Sequence, residues 1–193
     1  DDLARCVVDS IMSAVDNKEL KIKDRDIIAI TESIVARSQG NYATIDDIAS
    51  SIKSKMNADH IGVIFPILSR NRFSILLKGM ARATKKITVM LSYPSDEVGN
   101  ALISLDDLDA SGVNPYSDVL DIKKYRELFG YKLHEFTGVD YVKLYQEIVE
   151  GEGCDFEVIF ANHAEAILPY TKNVINCDIH TRKRTKRILL EKG

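Results

Sequence analysis

The sequence has little that would staple, anchor or strongly charge the molecule. Its three cysteines, Cys6, Cys154 and Cys177, are widely spaced and sit in no paired motif, which excludes a disulfide framework and a thiolate zinc site. Cys177 closes an apolar run and reads as a small core residue rather than a nucleophile. The longest apolar run covers residues 63–68, far short of the roughly 20 residues needed to cross a bilayer. With no paired cysteines a reducing cytoplasm is the simplest setting, and no signal peptide is visible either. Neither charge dominates. Lys and Arg number 26 against 29 Asp and Glu, and the net charge of -3 excludes a global attraction to nucleic acid or acidic membranes. Internal repeats and low-complexity segments are missing. So are the H-E-x-x-H, Walker and G-x-S-x-G patterns, and His60, His134, His163 and His180 form no ligand pair at helical spacing. Metalloprotease, P-loop and serine-hydrolase chemistries fall away.

What is present is ordinary globular material. Of the 193 residues 45% are hydrophobic and 28% charged, and a chain of this size can bury roughly 70% of its unfolded surface. A single domain over residues 1–193 is expected. The chain starts at Asp1 inside a helix-like pattern and stops just after another, so a fragment of a longer protein is expected too.

The periodicity alternates between buried strands and amphipathic helices. Asp1 or Asp2 can cap a first helix in which Leu3, Val7, Ile11, Met12 and Val15 share a face, ending near Asp16 and Asn17. Residues 27–30 read as a short buried strand. Thr44 opens a second helix with Asp46 and Asp47 in its first turn and Ile45, Ile48, Ile52 and Met56 inward. Strands follow at 61–67 and 87–91, separated by a helix that Ser69 caps and that buries Phe73, Leu76, Leu77 and Met80. Residues 93–121 form a loop-rich insertion with one short helix around Leu105 and Leu108. Helices at 121–129 and 140–149, a strand at 156–160, a helix near 163–168, a strand at 174–177 and a basic helix at 181–190 complete the chain. The alternation predicts an α/β fold with a mixed, mainly parallel sheet and flanking helices.

Polar groups gather just beyond these strands, where open α/β sheets bind ligands. Thr31, Glu32, Ser33, Arg37 and Gln39 follow the first strand and could hold a phosphate or carboxylate, although a strand leading into a capped helix or turn uses the same residue types. At residues 66–72 a hydroxyl, Ser69, and two guanidinium groups, Arg70 and Arg72, coincide with a helix start. Cations are unfavourable there unless an anion or the protein's own carboxylates pair with them. Asp96 and Glu97, after Tyr93-Pro94-Ser95, could hold magnesium or merely open a turn. Asp178 ends the last strand, in the position of a metal ligand or general base, ahead of Arg182, Lys183, Arg184, Lys186 and Arg187. That basic helix fits a solvated face, or a nucleic-acid contact lacking any aromatic interleaving.

The opening stretch carries a family resemblance. Asp24, Asp26, Ile27, Ile28, Ile34, Val35, Arg37 and Gly40, preceded by Asp1-Asp2-Leu3, resemble the signature D-G-D-V-(apolar)-S-K-(apolar)-S-K-A-E-G of the gamma-glutamyl ligases that attach glutamate to the deazaflavin coenzyme F420. The resemblance is clearest over the first quarter of the chain, and later segments such as SRNRFSILLKG and LSYPSDEVGN look like a divergent branch. It implies a GTP- and divalent-metal-dependent ligase, with Mg2+ or Mn2+, that usually forms a homodimer. In such an enzyme the amine of glutamate attacks an acyl phosphate made on a small carboxylate substrate. Arg37 takes the place of a family Lys, while Ser33 and Gln39 replace a family Lys and Glu. Leu108-Asp109-Ala110-Ser111 echoes the family's I-D-x-S metal segment, and Cys177-Asp178 with Thr181-Arg182 echoes T-D-T-x-G-R without its glycine. The resemblance thus implies Asp109 and Asp178 as metal candidates. Two other functions fit the same sequence: a non-catalytic phosphate-binding or assembly module that keeps the fold, and a nucleic-acid-binding domain built on the last helix.

Overall fold

A computed structural model describes residues 2–193; Asp1, one of the two candidate caps of the first helix, lies outside the described residues. The chain divides into two compact units, a small one ending at Thr44 and a larger one over Ile45–Gly193.

The small unit holds helix α1 (Leu3–Asp16) and helix α2 (Glu32–Ser38). Asp2 caps α1 by accepting the Arg5 N–H at 3.1 Å, and the helix ends at Asn17, where the acidic cap and the last apolar residue set its limits. The expected strand at 27–30 is not formed. Those residues have no ladder partner, and Ile27 is 91% exposed. The reason is local: Asp26 accepts the Lys23 N–H at 2.7 Å and Arg25 adopts φ 69°, closing a turn, so only four apolar residues remain before α2. Four residues without a neighbouring strand leave their backbone groups to water, and no ladder offsets the ordering entropy. Of the apolar face expected on α1, Leu3, Val7, Ile11 and Val15 are half-buried and Met12 is exposed, so the face forms without any fully buried residue.

The large unit is a mixed, mostly parallel five-stranded sheet with flanking helices, an α/β fold. In chain order it runs through α3 (Ile45–Met56), β1 (His60–Ile64), α4 (Arg72–Ala83), β2 (Lys86–Leu91), α5 (Leu105–Ser111), β3 (Leu120–Asp121), α6 (Ile122–Phe129), α7 (Tyr141–Glu150), β4 (Asp155–Phe160), a 3-10 turn (Ala164–Ile167), β5 (Val174–Asn176) and α8 (Arg182–Lys192). The spatial order is β3-β4-β2-β1-β5, parallel except for the β3–β4 pair. Because β1, β2 and β4 are covered on both faces, they read as nearly continuous apolar runs rather than alternating ones.

Alternate residues still go to different layers. Ile61, Val63, Ile87, Val89, Val158 and Phe160 join the main core with Leu77 of α4 and Tyr145 and Val149 of α7, while Ile64, Met90 and Ile159 face the 3-10 turn and α8. Two glycines permit the close approaches. A Cβ on Gly62 would lie 2.6 Å from Ile167 Cγ1, and one on Gly79 would lie 2.7 Å from Ile48 Cγ2, so β1 and α4 need glycine where the next layer presses on them. Leu76, expected in the α4 core stripe, turns out to be exposed, while Ala81 and Ala83 fill buried positions instead. The strand expected over 61–67 stops at Ile64 because Phe65 takes a left-handed φ of 53°. Strand β3, two residues long and antiparallel, had no readable pattern in the sequence.

Candidate functional site

The chain steps from β1 to β2 to β4 along one side of the sheet and then returns to lay β5 on the other side of β1. Connections therefore part between β1 and β5, and in open α/β sheets ligands bind in the crevice outside the carboxyl ends of the strands at such a switch point. A cleft of about 640 Å³ occupies that place, with residues after β1 (Phe65), β2 (residues 92–97), β4 (residues 162–165) and β5 (Asp178, His180, Thr181) on its walls. Helix α8 closes one side with Arg184, Thr185, Ile188 and Lys192.

Each loop is fixed by side chains that cross from one strand end to another. The Asn162 amide accepts the Tyr93 N–H at 3.1 Å and donates to the Tyr93 carbonyl at 2.5 Å and the Pro115 carbonyl at 3.1 Å, tying the β4 exit to the β2 exit. Buried Asp96 accepts four hydrogen bonds: Oδ1 from the Val98 and Asn100 N–H groups at 3.0 and 2.9 Å, Oδ2 from the Leu68 N–H at 2.8 Å and Asn100 Nδ2 at 2.7 Å. Glu97 reaches the β5–α8 loop, where Oε1 accepts the Ile179 N–H at 2.6 Å and Oε2 accepts the His180 N–H at 3.0 Å and faces His180 Nδ1 at 2.9 Å.

Asp178 holds the start of α8. Its Oδ1 accepts the Thr181 N–H at 2.7 Å, and its Oδ2 accepts the hydroxyls of Thr181 and Thr185, each at 2.5 Å. Burial pushes this carboxyl up, but the hydroxyls of Thr181 and Thr185, the Thr181 N–H and the nearby His180 together more than offset it, and the group lies below the usual carboxylate range. Glu165 is paired with Lys192, which lowers its pKa.

Three of the four candidate metal ligands come together at the cleft and one does not. Asp96, Glu97 and Asp178 line the same cleft, but their oxygens already accept protein donors. Asp109 lies exposed on α5 and is not among the residues on the cleft walls. Among the described residues, no group of three or more His, Cys, Asp or Glu is arranged to hold a metal ion.

The other sequence candidates are dispersed. Ser69 is spent on the backbone: its Oγ accepts the Asn71 and Arg72 N–H groups at 3.3 and 2.9 Å, and its own N–H donates to Tyr145 Oη at 2.9 Å. Arg70 and Arg72 are exposed and do not line the cleft. Thr31, Glu32, Ser33, Arg37 and Gln39 belong to the small unit. Thr31 and Ser33 hydroxyls lie 3.2 Å apart, Gln39 accepts from Asn41 at 3.0 Å, and Arg37 borders a separate pocket of about 350 Å³ with Leu3 and Tyr42. Burial pushes the Cys177 thiol up to about 12, which suits a core residue.

Several cleft residues escaped the sequence reading. Asn162 and His163 directly follow β4, so the strand-end rule that selected Asp96 and Asp178 could have found them. The Nδ1 of His163 is buried without a hydrogen-bond partner, the one such side-chain atom among the described residues. Glu165 and Lys192 carried no local signal, and Arg184 stood out only as one charge among several on a basic helix.

Similarity to known proteins gives this geometry a context. No curated protein and no solved structure matches the chain. The family model described as F420-0:Gamma-glutamyl ligase matches residues 1–174, everything up to the first residue of β5. With most of its length inside that match, and with the α/β fold expected from the same resemblance, the chain belongs to the F420-0:gamma-glutamyl ligase family.

Proposed function

We propose that this protein forms an amide bond between glutamate and a small carboxylate substrate, using GTP to activate the carboxylate, and that the cleft beyond β1, β2, β4 and β5 is where the phosphate-bearing partner sits. The observation that carries this reading is the position of the cleft at the switch point of a γ-glutamyl ligase family member. In the reaction a carboxylate oxygen takes the terminal phosphoryl group of GTP, releasing GDP. The glutamate nitrogen then attacks the acyl carbon, the acyl–oxygen bond breaks, and phosphate leaves with that oxygen. The attacking ammonium must shed protons on the way, and His163 is our candidate for the base that receives one. The two units are taken to work as one ligase domain, and a homodimer accords with the exposed apolar residues Ile27, Ile28 and Tyr42 of the small unit.

A second reading, a phosphate-binding module without turnover, is favoured by the charges missing at Ser33 and Gln39. One pair of measurements separates the two. Melting temperature is followed with GTP, ATP and GDP, with and without Mg2+ or Mn2+, and phosphate release from GTP is followed with and without glutamate and candidate carboxylates. GTP is expected to raise the melting temperature by linkage, and phosphate release is expected to require glutamate. A shift without glutamate-dependent release supports the module, and no shift with any nucleotide at saturation rejects both readings.

A further inference from the structure

Helix α8 carries Arg182, Lys183, Arg184, Lys186, Arg187 and Lys192 against Glu191 alone, in a chain whose net charge is -3. One side of the helix is committed to the fold: Ile188 and Leu189 pack on the layer formed by Ile64, Met90 and Ile159, and Thr185 is buried against Asp178. On the other side Lys183, Lys186, Arg187 and Leu190 recur at i, i+3, i+4 and i+7, and all four are exposed. The carboxylates that form ion pairs with α8 are Glu165, which takes Lys192, and Glu191, which lies 3.8 Å from Arg187. Lys183 and Lys186 have no ion pair or side-chain hydrogen bond among the described residues. Arg182, Lys183 and Arg184 also occupy the first turn, without an acidic residue or a side-chain cap, where the helix dipole disfavours positive charge. A depression of about 570 Å³ at that end is lined by residues 179–184 and has no carboxylate on its wall. Local costs of this kind are offset when an anion lies against the surface.

We propose that this outer face of α8 is a docking surface for the phosphodiester backbone of nucleic acid, met through Lys183, Lys186 and Arg187. Charge complementarity carries the proposal, and the helix's packing selects the partner among polyanions. A helix that lies on a membrane sinks an apolar face among the lipids, but the apolar side of α8 is spent on the protein's own layer, leaving Leu190 as the apolar residue of the outer face. That face holds no aromatic side chain on which a base could stack, so binding is independent of base sequence and driven by release of counterions. The negative charge of the rest of the chain does not prevent it, because at physiological salt charges farther away than about 8 Å are largely screened. The helix lies beyond residue 174, outside the segment that matches the family, and the proposal stands apart from the ligase reading.

The test is fluorescence anisotropy of a labelled oligothymidylate of about 20 nucleotides, titrated with the full chain over a series of salt concentrations. Three phosphate contacts on a single strand give a slope of about -2 in log affinity against log salt, so affinity is expected to fall about twentyfold between roughly 50 and 200 mM, from a Kd on the order of 10–100 µM. Lys183→Gln combined with Lys186→Gln is expected to weaken binding at least about tenfold and to reduce the slope to about -0.7, one remaining contact. Lys53→Gln combined with Lys55→Gln removes the same charge from exposed positions on α3 and is expected to change the affinity less than about threefold. All four positions are exposed, so both double variants are expected to melt with the unaltered chain. Saturating GTP at constant ionic strength is expected to leave oligonucleotide binding unchanged, which separates this face from the cleft. The proposal is overturned by an absence of binding up to about 300 µM protein at roughly 50 mM salt, or by equal weakening in the two double variants. Displacement of the oligonucleotide by GTP overturns it too, as does tighter binding to vesicles containing roughly 30% phosphatidylserine than to the oligonucleotide.

Discussion

Asp96 shows how far a residue type is from a residue role. In the sequence, Asp-Glu after Pro-Ser offers two carboxylates beyond a strand, which suits a metal, a turn or a helix start equally. Folding brings Leu68 from the β1 exit against one oxygen and Val98 and Asn100 from its own loop against both, so the carboxylate becomes a fastener between two strand ends. Nothing in the local sequence encodes Leu68 as a partner, because it lies 28 residues away. Asp96→Ala is expected to leave these donors unpaired in a buried place and to cost about 3 kcal/mol. The loss would appear as a lower urea midpoint with an unchanged denaturant slope, and a change below about 0.5 kcal/mol would deny Asp96 its structural role. His163 is the converse case. It had no motif to recommend it, yet its strand-end position brings it to the cleft with a buried, unpartnered nitrogen.

The strands β1, β2 and β4 and the helices α1, α3, α4, α6 and α7 lie within a few residues of where hydrophobic periodicity put them. Asp121 and Asp140 each accept the N–H three residues on, from Lys124 and Lys143, which is the interaction a capping residue at that spacing makes available. Residues 27–30 had the right composition for a strand but no strand beside them, and a ladder cannot be read from one segment alone. Helix α8 depends on Asp178, whose lowered pKa links the helix to pH. The unfolded chain binds a proton to this carboxyl before the folded one does. The stabilisation is therefore complete above about pH 4, the ordinary value, and is lost as pH falls through the lower folded value. Asp178→Asn is expected to cost about 1–2 kcal/mol near pH 7 and to flatten the fall in stability below pH 4. Urea unfolding across a pH series tests this, and an acid limb as steep as that of the unaltered protein would contradict it.

For the molecule as a whole, burial is distributed very unevenly between the units. Every buried residue among those described lies in Ile45–Gly193, and none lies in residues 2–44. Amide hydrogens of β1, β2 and β4 are therefore expected to exchange slowest, at rates set by global unfolding, and those of residues 20–31 fastest. Slow exchange across residues 27–30 in hydrogen-exchange mass spectrometry would show a ladder that this structure lacks. The sequence by itself determined the α/β class, the parallel bias and the family, because these rest on local periodicity and on contiguous residues that survive without knowledge of their partners. Only the tertiary structure decided the strand order, and with it the switch point between β1 and β5. It also decided which charges are consumed by other parts of the chain and which are left over. Hydrogen bonds such as Asp96 to Leu68 and Glu97 to Ile179 join residues 28 and 82 positions apart. Whether a carboxylate or a guanidinium is free to meet a ligand is settled by those distant donors and acceptors, not by its neighbours along the chain.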